Sequence, residues 1–172
     1  ELIARGRTLL DQGDCEEALR ALQQAEKLHP SHPDLPDLLG RAKRAVCDRW
    51  LEQGRTATAA HNYPAAMRLF QKSRDLLQGY GGVDPLLADV QSKLAELHLK
   101  ASRQFLQGDA AGIATFHAAA ALQYLSESAD ARQNFTQCMG QVQQDIAYTI
   151  AFAGFKSTPA QQQSAAILDA VS

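Results

Sequence analysis

One constraint outweighs the others in this sequence: residues of matching size recur 48 positions apart, as 66 is from 18. Gly6 falls on Gly54, Ala18 on Ala66, Leu22 on Phe70, Leu2 on Trp50 and Gln23 on Gln71. An offset shared by small residues as well as large ones marks an internal repeat, in which each unit buries its apolar face by stacking on a neighbour.

The unit itself is clearest between Asp34 and Leu77. Leu35, Leu38, Leu39, Ala42, Ala45, Val46, Arg49, Trp50, Gln53 and Ala57 recur at three- and four-residue steps, the spacing of one face of a long helix. His61-Asn62-Tyr63-Pro64 breaks it, and Pro64 suits a first helical turn, where its missing N-H would be unpaired. Ala66, Leu69, Phe70, Ser73, Leu76 and Leu77 then give a second stripe, so the pattern predicts a helical hairpin. Upstream, Leu2, Leu9 and Leu10 predict a helix over Glu1 to Gln12, Gly13-Asp14 breaks it, and a second helix runs from Cys15 to about His29. Asp14 is placed to cap that helix through its carboxylate, with Glu16 and Glu17 at the positive end of the dipole. Pro30, Pro33 and Pro36 end it.

Downstream, Gly79 to Asp84 reads as a connector, with Asp84 as N-cap and Pro85 at the first helical position. Leu87, Val90, Leu94, Leu97, Ala101 and Phe105 form the next long stripe, Gly108-Asp109 repeats the earlier break, and Ile113 to Leu125 returns. This third unit is degenerate, and an offset of 95 from the first puts Ile113 and Ala120 on the Ala18 and Ala25 places. Asp130 to about Ala147, with Phe135, Met139, Val142 and Ile146 in step, predicts a covering helix. The division expected is a repeat domain over 1–147 and a tail over 148–172. In the tail, Thr149-Ile150-Ala151-Phe152 reads either as a short strand or as more of the covering helix. Thr158 and Pro159 announce a helix from Ala160 to Val171.

Leu2, Gly6, Leu9, Ala18, Leu22, Ala25 and Pro30 fall at the spacing of the tetratricopeptide repeat, and this chain resembles that family. In the second unit Trp50, Gly54, Ala66 and Phe70 match, whereas Ser73 stands for an alanine and Gln78 for the proline. The period exceeds the usual 34 by about four helical turns, which preserves the facing and lengthens the first helix. The resemblance implies an all-α fold of antiparallel helical hairpins stacked as a short α-solenoid, with a concave groove lined by the first helices. Transferred onto this sequence, the family's groove positions are Ile3 and Arg7, Leu51 and Arg55, then His98 and Ser102. The Lys and Asn set of the family's chaperone-tail clamp is missing. About 25 residues of the tail resemble weakly the start of a domain in curli-secretion-type lipoproteins, and the chain, opening mid-helix at Glu1, reads as part of something longer.

Catalytic and metal chemistry find little footing. There is no G-x-S-x-G, no phosphate loop with its Lys, and no H-E-x-x-H. His29 and His32 flank Pro30 without a third ligand nearby, and Cys15, Cys47 and Cys138 form neither a C-x-x-C motif nor an even set, so no metal or other cofactor is expected. With Lys and Arg at 17 against Asp and Glu at 19, a net charge of -2 offers no general attraction to nucleic acid. The longest nearly apolar run, Ile146 to Phe155, is about half of the roughly 20 residues a membrane span needs. The tetratricopeptide resemblance implies a non-catalytic scaffold that holds a protein or peptide in the concave groove. Arg7 and Arg55, equivalent by the offset, favour an acidic one. The alternative is an assembly module that packs its long helices or apolar tail against another copy or another domain.

Overall fold

In the computed structural model, which describes residues 1–154, the secondary structure is helical throughout. Among the described residues are seven α-helices: α1 Leu2–Gln12, α2 Cys15–Leu28, α3 Leu35–Ala59, α4 Tyr63–Leu76, α5 Val83–Gln107, α6 Ala111–Tyr124 and α7 Ala129–Gly154. A 3-10 turn, Tyr80–Gly82, precedes α5. No strand occurs among them: Thr149 to Phe152 lies on α7, because the covering helix continues through Gly154 and nothing extended is present for a lone strand to pair with. The helix expected from Ala160 lies outside the described residues.

The repeat governs the backbone more strictly than the side chains. The short helices α2, α4 and α6 are each 14 residues long and begin at Cys15, Tyr63 and Ala111. Each is preceded by a residue in the left-handed region, Gly13 at φ 83°, His61 at 57° and Asp109 at 56°. Only the first is a glycine; the other two carry a side chain at some steric cost. The same backbone bond closes each turn, from Asp14 N-H to Leu9 O, Asn62 N-H to Ala57 O and Ala110 N-H to Phe105 O. The third unit therefore lies 96 positions from the first, as 111 is from 15, and the offset of 95 is one residue short. Ala114 and Ala121, both fully buried, occupy the Ala18 and Ala25 places, whereas Ile113 is half exposed.

Capping departs from expectation in two places. Asp14 is the N-cap of α2 but its carboxylate makes no capping bond, whereas Asn62 does cap α4, its side chain accepting from Ala65 N-H at 3.3 Å. Asp84 is not an N-cap, since α5 starts one residue earlier at Val83. Val83 is fully buried, and burying it draws the helix start back and leaves Asp84 and Pro85 inside the first turn, where a proline is tolerated.

The chain divides into two compact units, Glu1–Leu94 and Ala95–Ser172, with the boundary inside α5. In the first unit, α1 packs on α2 and α3 packs on both α2 and α4. Its main core joins Leu19, Leu22 and Ala25 of α2 to Leu35, Leu38, Leu39, Ala42 and Val46 of α3, with Leu2, Ile3, Leu10 and Trp50 at the margin. The 25-residue α3 thus lies along two short helices in turn, its first half against the one before it. Gly54 and Phe70 make the α3–α4 crossing beside buried Ala66. Trp50 is half buried and turns towards α2, where its indole N-H donates to Glu16 Oε1 at 2.9 Å. In the second unit, Ala95 and Leu99 of α5 meet Ala121 and Ala131, and Ala114, Ala118 and Cys138 form a second cluster with Leu106 and Phe135.

Candidate functional site

The candidate positions on the first helix of each repeat are set by the repeat register. With the third unit at 96 rather than 95, the residues equivalent to Ile3 and Arg7 are Leu51 and Arg55, then Leu99 and Arg103, not His98 and Ser102. Leu51 and Leu99 are buried and Ile3 half buried, so this row belongs to the interior. Leu51 packs beneath the 3-10 turn, where a Cβ added to Gly81 would come within 2.5 Å of its Cδ1. Ser102 is also interior: it is fully buried, donates to Asn134 Oδ1 at 2.8 Å and touches Cys138 Sγ at 3.3 Å. Neither Leu51 nor Ser102 is open to a ligand.

The arginines are the exposed row. Arg7, Arg55 and Arg103 each present about half of their side chain to solvent. Arg7 donates to Asp34 Oδ2 at 3.1 Å, a residue 27 positions further on. Arg103 does the same to Asp130, again 27 positions on, with Nη2 at 2.6 and 2.7 Å from the two carboxylate oxygens. Both acids sit at the start of the following long helix, Asp34 as N-cap of α3 and Asp130 in the first turn of α7, where the helix dipole favours negative charge. The place equivalent to these two acids in the middle repeat is Gly82. Arg55 is left with Glu52 on its own helix at 3.6 Å, too long for a hydrogen bond. Arg103, Asp130 and Asn134 border a depression of about 310 Å³ between α5 and α7.

No protein-family model matches the chain, and no curated protein or solved structure matches it either.

His98 belongs to a different feature, a group of rings in the second unit. Its Nδ1 lies 3.0 Å from Nδ1 of His117, so one nitrogen donates and the other accepts. The His98 ring stacks on Tyr124, and His117 stacks on Phe105 with an edge contact to Phe116. Burial, and then the neighbouring His117, pull the His98 pKa below the ordinary histidine value. Two imidazoles are short of a metal set, and among the described residues no group of three or more His, Cys, Asp or Glu is placed to hold an ion. Outside this group, His32 Nδ1 accepts from the main-chain N-H of Asp34 at 3.3 Å. No described helix is long and apolar enough to cross a membrane.

Arg103 is the residue that sequence reasoning misses. Its signal is present in the sequence as an arginine 48 positions after Arg55 and 96 after Arg7. Its acid partner gives no local signal, because Asp130 lies beyond an entire intervening helix.

Proposed function

We propose that this chain is a non-catalytic binding module, a tetratricopeptide-like solenoid that holds a peptide or protein segment against the first helices of its repeats. The observation that carries this reading is Arg55 on the first helix of its repeat, half exposed and without a hydrogen-bonded acid of its own, whereas its equivalents Arg7 and Arg103 are paired with Asp34 and Asp130. An acidic segment fits best, since guanidinium pairs carboxylate through two parallel bonds. The experiment is selection of a random-peptide display library on the immobilised chain, followed by hydrogen exchange with a recovered peptide. Protection on α1 and α3 supports the reading. Failure to enrich any peptide over a chemically denatured control overturns it.

A specific observation favours a second reading, assembly with another copy or domain. The outward face of α6 carries Phe116 and Ile113, 68% and 50% exposed. In α2 the equivalent positions are Arg20 and Glu17, and in α4 Arg68 and Ala65. A face that is charged in two repeats and apolar in the third has the composition of a contact surface.

A further inference from the structure

The three arginines are equivalent in position but not in state, and the difference is a missing acid. Arg7 and Arg103 are each held by an aspartate 27 residues further on, at 3.1 Å in one case and 2.6 Å in the other. Counting the same 27 from Arg55 reaches Gly82, which has no side chain. A Cβ built on Gly82 meets no atom within 4 Å, so the space beside its backbone is open. The turn that carries it is nevertheless in place against α3, with Gly81 seated over Leu51, one helical turn from Arg55. Glu52 approaches Arg55 without a hydrogen bond, is about three-quarters exposed, and has no acidic counterpart in the other repeats, where Ala4 and Lys100 stand. The fold therefore builds the same guanidinium position three times and leaves its acceptor out once.

We infer that Arg55, one helical turn beyond the Leu51 on which the Gly81-Gly82 turn is seated, is a receptor for a carboxylate brought by a partner peptide, which takes the place that Asp34 and Asp130 fill in the other repeats. This inference rests on the binding-module reading and narrows it to one anchor. The ligand contributes an acceptor only, either an Asp or Glu side chain or a free C-terminus. Arg7 and Arg103 are occupied by their own chain and set geometry rather than affinity. Gly82 matters as much as the arginine, because a side-chain carboxylate there would supply the missing acid from within.

The test uses peptides recovered from the display selection, synthesised with free and with amidated C-termini and with Asp and Glu exchanged for Asn and Gln. Each is titrated calorimetrically into the parent chain and four variants. Arg55→Ala should weaken binding by roughly two- to fivefold, the scale of a half-exposed charged pair. Glu52→Gln should strengthen it by removing the weak competitor. Gly82→Asp should weaken it, while Gly82→Asn, which carries the same left-handed backbone strain without the charge, should bind as the parent does. Dependence on the amide exchange identifies a side-chain carboxylate, and dependence on the free terminus a C-terminal one. Peptides that bind equally to the parent and to Arg55→Ala would overturn the anchor while leaving the binding module standing. Equal binding by Gly82→Asp and Gly82→Asn would overturn the identification of the vacant acid position as the site.

Discussion

Gly54 lies so close beneath Phe70 that a Cβ added to it would fall 2.8 Å from both Cδ1 and Cζ of the ring, and nearer still to Cε1. The same relationship holds 48 residues earlier, where a Cβ on Gly6 would come within 2.6 Å of Leu22 Cγ. In the third repeat both partners have changed together: Ser102 stands for the glycine and Ala118 for the large residue, and both are fully buried. The added atoms on one helix are matched by atoms removed from the other. Close helix approach, not a particular residue pair, is what the repeat retains.

Gly54→Ala should therefore destabilise the chain, by about 1–3 kcal/mol, because the ring cannot leave a filled crossing without strain elsewhere. Gly40→Ala, also inside α3, should do the opposite and stabilise by roughly 0.5–1 kcal/mol. Its Cβ would meet only the end of the Arg44 side chain, at 3.5 Å. Denaturant unfolding of the two variants gives the comparison, and equal shifts of the midpoint would contradict the crossing.

Ser73 offers a gain of stability. Its hydroxyl is fully buried and has no hydrogen-bond partner. The equivalent residues in the first and third repeats, Ala25 and Ala121, have no hydroxyl to satisfy. Ser73→Ala should raise stability by about 1 kcal/mol, the order of the penalty for an unpaired buried polar group. The bond from Cys47 Sγ goes to the Ser73 main-chain carbonyl and survives the change. A loss of stability on substitution would show that the hydroxyl is satisfied in solution.

The ring group of the second unit should make stability depend on pH. His98 has its folded pKa lowered, so the unfolded chain binds its proton more readily. Its contribution is therefore fully present above the unfolded value of about 6.5 and is lost as the pH falls through that value towards the folded one. The groups facing it on α6 are His117 and Tyr124. Melting temperature recorded from pH 8 to pH 5 should fall more steeply for the parent than for His98→Gln. Parallel curves would remove His98 as the source.

The apolar face of α6 should show itself in solution. Phe116→Arg restores the residue type found at the same place in α2 and α4, Arg20 and Arg68. If this face joins copies of the chain, sedimentation should shift towards the monomer at equal concentration, with little change in unfolding midpoint because Phe116 is 68% exposed. A parent that is already monomeric would leave the face without a self-association role.

Helices, breaks and the repeat of the first two units are readable in the sequence because large and small residues alternate sharply there, Gly6 with Leu22 and Gly54 with Phe70. In the third unit that contrast fades. Five of the eight residues from Ala114 to Ala121 are alanine, and Ile113 is the conspicuous apolar residue at their head. Aligning Ile113 with a buried alanine shifts the register by one residue, a shift that moves a helical position by about 100° and exchanges an interior face for an outer one. Hence His98 and Ser102 are selected in place of Leu99 and Arg103. The acid partners are harder still, because Arg7 reaches Asp34 and Arg103 reaches Asp130 only after a whole helix has folded back between them. The burial of Val83, which moves the start of α5, is likewise a tertiary effect that overrides the local signal of Asp84 and Pro85.

The continuity of α3 has a mechanical consequence for the first unit. A helix of 25 residues is a rod of roughly 37 Å, and here it serves as the wall for α2 and for α4 at once. Where neighbouring hairpins meet across a flexible joint, tension can peel one away while the next stays intact. In this unit the load passes along backbone hydrogen bonds of a single beam instead, so pulling on α2 strains the seat of α4. The first unit should consequently yield in one step under force, and a ligand that clamps any part of α3 would stiffen both hairpins together.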